Sequence, residues 1–183
     1  MTRITPIDIA TAEPAVLATL SAVKAKLGMT PNLVSTFAQS AAALHGYLAF
    51  ADALGKGGLT ARQREIVALV VAQRNACAYC LSAHTLMGKA AGLTQHDLRL
   101  AREGSATEAA EDAVARFAAR VVDTKGSVAD ADIAAARAAG LDDSHLVEVI
   151  ANVALNVLTN YTNNAAQTEI DFPKINVSLH KAA

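Results

Sequence analysis

Apolar residues recur along this 183-residue chain at three- and four-residue spacing, a period that predicts one helix after another. Val16, Leu17, Leu20, Val23 and Leu27 form the first stripe, with Pro14 in its opening turn and Gly28 at its end. A second helix is expected from about Thr30-Pro31 to Leu54, stopped by Gly55-Lys56-Gly57-Gly58. Thr60-Ala-Arg-Gln63 fits a capping box for a central helix that runs to about Arg74. That helix is apolar on most sides and holds the longest apolar run, Ile66 to Ala72, so it belongs in the middle of the core. The next helix runs to Ala91, where Gly92 supplies the turn, and Thr94 caps a short one ending near Gly104. Ser105-Ala-Thr-Glu108 reads as another capping box, for a helix through Val122. A helix from about Ala129 to Ala139 closes at Gly140, and the last spans about Asp143 to Ala166. Strand-like alternation is confined to Ile4–Ile9 and Ile175–Leu179. The expected fold is all-α, a helical bundle of about eight helices with short loops. Ala-Ala-Gly-Leu-Thr at 90–94 recurs as Ala-Ala-Gly-Leu-Asp at 138–142, each a glycine followed by an N-cap that joins two helices.

Composition adds an aliphatic core and subtracts several partners. Hydrophobic residues make up 52% of the chain but aromatic ones only 4%, with no Trp, so the core must be layered Ala, Val and Leu. The length suits one domain over residues 1–183, with N-terminal helices at 12–55, a central segment at 59–94 and C-terminal helices at 107–166. Sixteen basic and seventeen acidic residues give a formal charge of −1, and no basic run provides a footprint for nucleic acid or an acidic membrane. Charged residues are only 18% beside a large apolar fraction, which predicts subunit contacts and a homo-oligomer. Met1 to Ala10 lacks the apolar segment of a signal peptide, and no run approaches the roughly 18 residues of a membrane span. A cytoplasmic location follows as an expectation, and two cysteines there point to catalysis, redox exchange or metal binding rather than a structural staple.

The chemistry concentrates between Glu65 and His84. Cys77 and Cys80 form a C-x-x-C, His84 follows one turn later, and Glu65 precedes Cys77 by twelve residues. If the segment is helical from about residue 77, Cys77, Cys80 and His84 share one narrow face. That spacing permits a Cys80–His84 hydrogen bond and a 77–80 disulfide. A helix N-terminus and a nearby histidine both lower a thiol pKa. Glu65 lies on an apolar stripe with Ala68, Leu69, Ala72 and Ala76, and a hairpin turning near Asn75–Ala76 returns it to the level of His84. There it could orient the imidazole or pass protons, with desolvation favouring its protonated form. Taken singly, each residue has a plainer reading: two small core residues, an exposed imidazole, a surface carboxylate beside Arg62 and Arg64. A zinc site of two thiolates, an imidazole and a carboxylate is the sharper competitor, but no second C-x-x-C follows, and three ligands from one helical segment strain a tetrahedron.

Elsewhere Asn152, Asn156, Asn160 and Asn164 recur every four residues, which reads as a solvated or interhelical polar face before a pocket lining. Tyr47, His45 and Phe50 read as core or pocket wall. His96, His145 and His180 read as surface residues without partners.

Glu65, Cys77-Ala-Tyr-Cys80 and His84 together resemble the active-site motif of the AhpD-like alkylhydroperoxidases, within the wider carboxymuconolactone decarboxylase superfamily. Leu59-Thr-Ala-Arg-Gln-Arg-Glu65 and Gly92-Leu-Thr94 are similar to that family as well. Thr159-Asn-Tyr-Thr-Asn-Asn164 and Thr168-Glu-Ile-Asp-Phe-Pro173 resemble its peroxidase-related branch. The resemblance implies an AhpD-like helical homo-oligomer, a trimer or hexamer, with thiol peroxidase activity toward organic hydroperoxides. By position it makes Cys80 the peroxidatic thiol, Cys77 the resolving one, and His84 and Glu65 a proton relay. Tyr79 departs from it, standing where the best-known members place a second relay histidine. No flavin or nucleotide motif appears, so no cofactor is expected and electrons come from an external dithiol. The alternatives are a decarboxylase or lactone-type enzyme on the same scaffold, whose family members lack the cysteine pair, and a non-enzymatic zinc-binding or redox-sensing oligomer.

Overall fold

The computed structural model describes residues 2–179, and in them the central helix is enclosed as its composition requires. A single 3-10 turn at Ile9–Thr11 leads into α1 (Pro14–Leu27), α2 (Asn32–Phe37), α3 (Ala41–Gly55), α4 (Ala61–Arg74) and α5 (Ala78–Ala90). Then follow α6 (Gln95–Glu103), α7 (Ala109–Asp123), α8 (Asp130–Ala138) and α9 (Asp143–Ala166). The described residues are all helical with no strand, and they form nine helices.

α4 touches α5, α6, α7 and α9, and Ile66 through Ala72 are at most 1% exposed. Neighbours on every side leave no solvated face, so an unbroken apolar run is what this position demands. Thr60 closes the predicted capping box, its side chain accepting Gln63 N–H while Gln63 Oε1 accepts Thr60 N–H. Glu148 of α9 fixes the approach to that cap by accepting Gly58 N–H at 2.8 Å and Leu59 N–H at 3.0 Å. The two Gly-Leu joints have one geometry. Gly92 and Gly140 are left-handed, and Leu93 and Leu141 each donate back five residues, to Gly88 and Ala136.

Three expectations need correction. The helix read from 30 to 54 is two, because Ser40 accepts Ala43 N–H as an N-cap and so starts α3 afresh. An uninterrupted apolar period concealed that cap. The box read at 105–108 does not form: Ser105 Oγ bonds to the Leu100 carbonyl, Glu108 makes no side-chain cap, and Asp112 accepts Ala106 N–H instead. His145 has a partner, Asp142, at 2.7 Å, and His96 faces Arg99 at 3.4 Å. His180 lies outside the described residues. Among those residues, no helix is long and apolar enough to cross a membrane.

Candidate active site

The turn between α4 and α5 sets the site. Asn75 caps α4, Ala76 takes a left-handed φ of 50°, and Cys77 N–H reaches back to the Ala72 carbonyl at 2.9 Å. A left-handed alanine costs roughly 1 kcal/mol. Bonds from α9 offset it: Asn164 Nδ2 donates to the Asn75 carbonyl at 2.8 Å, and Asn75 Nδ2 donates to Asn160 Oδ1 at 3.0 Å.

Cys77 is the N-cap of α5, its sulfur accepting Cys80 N–H at 3.3 Å. Cys80 therefore sits in the first helical turn, where the helix dipole favours negative charge. Both thiols are free and buried. Asn163 Nδ2 of α9 donates to Cys80 Sγ at 3.3 Å. The Cys77 hydrogen bond is the largest influence on Cys80 and lowers its pKa to about 6 against the opposing effect of burial. The charge of His84 and the Asn163 amide add to the lowering. Cys77 moves the other way, pushed up by its hydrogen bond to Cys80 and then by burial. Near neutrality the pair thus holds one proton, with Cys80 as thiolate and Cys77 as thiol.

The hairpin also returns Glu65 to α5. His84 Nδ1 lies 2.8 Å from Glu65 Oε2, and the two side chains are 20% and 13% exposed. Burial works against an imidazolium, but Glu65 and the Cys80 thiolate prevail and raise His84 above its ordinary value. The bond to Glu65 orients the ring and leaves Nε2 as the nitrogen able to exchange a proton. The Cys80 sulfur takes its hydrogen bond from Asn163, not from His84 as the spacing suggested; His84 acts on it through charge.

Tyr79 engages other groups. Its hydroxyl accepts Leu33 N–H at 3.2 Å and interacts with Asp171, while its ring meets Phe172 edge-on with centroids 5.5 Å apart. Burial pushes its phenol up. It ties α5 to α2 and to the segment after α9. Tyr47 forms a wall of the site, stacked on Phe37, with its phenol pushed up to about 12 by burial and by Cys80. Among the described residues, no group of three or more His, Cys, Asp or Glu side chains is placed to hold a metal ion.

Residues 41–124, which carry all four of these groups, match the model of the carboxymuconolactone decarboxylase family. Over that segment the chain is similar to the carboxymuconolactone decarboxylase family. Solved structures similar to it share its fold. A peroxidase-related protein from Ralstonia eutropha JMP134, described as an alkylhydroperoxidase AhpD core, superposes with a TM-score of 0.84 at 24% identity, covering 93% of this chain and 92% of that one. A peroxidase-related protein from Silicibacter sp. TM1040 gives 0.78 at 23% identity, covering 91% of both chains. A variant of the debrominase Bmp8, with an alanine in place of a cysteine and in complex with 2,3,4-tribromopyrrole, gives 0.78 at 16% identity, covering 93% of this chain and 92% of that one. No curated protein matches the sequence significantly.

The asparagine stripe is buried at Asn152, Asn156 and Asn160 and half-buried at Asn164. Asn152 and Asn156 each donate to the carbonyl four residues back, whereas Asn160 faces the cysteines and Asn164 the turn. Asn163, the amide bonded to Cys80, escaped the sequence reading. Its signal was present: from Val149 and Val153 the buried phase of α9 runs through Asn156 and Asn160 to Asn163.

Proposed function

We propose that the protein is a thiol-dependent peroxidase that reduces organic hydroperoxides by cycling Cys77 and Cys80 between dithiol and disulfide. The observation that carries this reading is the asymmetric pair of sulfurs, with Cys80 lowered to about 6 and Cys77 raised. A peroxidase of this kind needs one thiolate to attack and one thiol held in reserve beside it. The Cys80 thiolate attacks the terminal oxygen of R–O–O–H. The O–O bond breaks, Cys80 becomes a sulfenic acid, and the alkoxide takes a proton supplied through the protonated His84, which Glu65 holds in place. Cys77 then condenses with the sulfenic acid, releasing water and forming the 77–80 disulfide, and an external dithiol restores both thiols. In this reading Tyr79 anchors the site and stands outside the relay.

Assembly into a homo-oligomer, a trimer or hexamer, belongs to the same proposal. Its support is an apolar stripe along α9, where Val147, Ile150, Leu158 and Tyr161 are 64%, 44%, 43% and 60% exposed.

Thiol titration before and after one equivalent of cumene hydroperoxide tests the function. We expect the loss of two thiols per chain, reversed by a dithiol. Cys80→Ser abolishes peroxide consumption, and Cys77→Ser stops at a sulfenic acid that dimedone traps. Unchanged turnover in Cys80→Ser would overturn the proposal. The same two-electron chemistry would serve reductive debromination, the activity in the name of the Bmp8 neighbour. Bromide release from a bromopyrrole, without hydroperoxide consumption, would move the assignment there.

A further inference from the structure

Two polar atoms beside the cysteines lack hydrogen-bond partners, the nitrogen Nδ2 of Asn160 and the oxygen Oδ1 of Asn163. Their side chains are among the most enclosed polar groups of the molecule, with Asn160 0% and Asn163 3% exposed. Each amide is committed at its other end. Asn160 Oδ1 accepts from Asn75, and Asn163 Nδ2 donates to Cys80 Sγ. Neither amide can turn over without losing that bond, and a thiolate offers only an acceptor to whatever faces it. The free donor and the free acceptor are therefore fixed, one helical turn apart, next to the sulfur of Cys80. Buried amide groups are rarely left unpaired, and those that are call for an occupant.

A hydroperoxide supplies the matching set. Its terminal oxygen carries one O–H donor, and its inner oxygen carries acceptor lone pairs. We propose that Asn160 and Asn163 form the hydroperoxide-binding subsite, with Asn163 Oδ1 accepting the terminal O–H and Asn160 Nδ2 donating to the inner oxygen. This rests on the peroxidase reading above and names the groups that select and orient its substrate. The bond to Asn163 holds the oxygen to be attacked beside the sulfur that the same amide contacts. The bond to Asn160 strengthens as negative charge develops on the departing alkoxide oxygen. After transfer, the sulfenic acid keeps the O–H that the hydroperoxide brought, so Asn163 Oδ1 retains its partner through the step. Nothing else need change hands: sulfur loses two electrons to the O–O bond, and the alkoxide takes its proton through His84. Asn160 and Asn163 thereby become catalytic residues, since both touch the reacting atoms.

The test compares two reagents for one thiolate. Cumene hydroperoxide offers an O–H and a leaving oxygen, whereas iodoacetamide consumes the same thiolate without that set. Rates are followed over pH, and the plateau above the thiol pKa is used, so that altered ionisation drops out. In Asn163→Ala and in Asn160→Ala we expect the hydroperoxide plateau to fall by about tenfold or more. The iodoacetamide plateau should stay within about twofold of wild type. Asn163→Leu, close in shape, carries the test if the alanine variant does not fold. Hydroperoxide and iodoacetamide plateaus that fall together, or that both hold, would overturn the subsite while leaving the peroxidase reading standing. A wild-type protein that alkylates but never reacts with cumene hydroperoxide would overturn both.

Discussion

The sharpest quantitative test of the site is removal of the Cys77 thiol while the shape of the turn is kept. Cys77 Sγ accepts Cys80 N–H at 3.3 Å, and hydrogen bonding from its thiol is the largest influence lowering Cys80 to about 6. A hydrogen bond to a charged group contributes about 1.5–3 kcal/mol, which corresponds to roughly one to two pKa units. Cys77→Ala should therefore move Cys80 to about 7–8. At pH 7 its thiolate fraction drops from about nine-tenths to between about one-half and one-tenth, and alkylation by iodoacetamide slows about two- to tenfold. Above about pH 9.5 both proteins are fully ionised and the difference closes. Cys77→Ser keeps a donor and an N-cap acceptor, so its profile should stay near wild type. The assay is the pH dependence of alkylation, with Cys80 identified by peptide mass. An alanine variant that titrates with the wild-type midpoint would refute the assignment, as would a wild-type midpoint in the ordinary thiol range.

Three further outcomes follow from contacts around the site. Tyr79→Phe leaves the buried Leu33 N–H without its acceptor at 3.2 Å, so it should lose about 1–3 kcal/mol in urea unfolding yet keep the pH profile of Cys80 alkylation; a shifted profile would put the phenol in the relay after all. Glu148→Gln weakens the charge-assisted bonds to Gly58 and Leu59 N–H, and should cost about 1 kcal/mol at pH 7. Those N–H groups hold the Glu148 carboxyl below its ordinary value, so its contribution is full above the unfolded-state pKa and is lost as pH falls through the folded one. The gap between wild type and Glu148→Gln should accordingly close on acidification, and a gap that persisted at low pH would contradict this. Gly88→Ala places a Cβ 2.9 Å from Leu98 Cδ2 and 3.0 Å from Leu93 Cδ1, and about 1–3 kcal/mol of overpacking should lower the melting temperature; an unchanged midpoint would show that the two leucines move aside freely.

How far the sequence could be read depended on how local each cause is. Capping at Thr60, Thr94 and Asp142 and the glycine joints at Gly92 and Gly140 are properties of a few adjacent residues, and they were legible. Ser40 was missed because the apolar period continues across it on both sides. Ser105-Ala-Thr-Glu108 misled because Asp112, four residues further on, competes for Ala106 N–H, and composition does not rank such rivals. At the site, the phase of α5 and the α4–α5 hairpin were enough to bring Glu65 to His84. The choice of Asn163 over His84 as the direct partner of Cys80 was not legible, since it depends on how α9 crosses α5. Tyr79 shows the same limit: its place in the motif suggests a relay, whereas its contacts come from α2 and from Asp171, remote in sequence.

What those remote contacts have in common is expense. A thiolate buried in an aliphatic core is unfavourable, and so is each buried amide atom left without a partner, at about 1–3 kcal/mol. A helix serving only to fill the space above α5 would carry Leu or Ala where α9 carries Asn160 and Asn163, as α4 does along Ile66 to Ala72. The Cys80 pKa is lowered by a thiol, an amide and the charge of His84 acting together. The fold then leaves one donor and one acceptor uncommitted at the same point. Departures from good core packing tend to gather where function requires them. Here they converge on the Cys80 sulfur from α5 and α9, which makes the junction of those two helices the place where stability has been exchanged for reactivity.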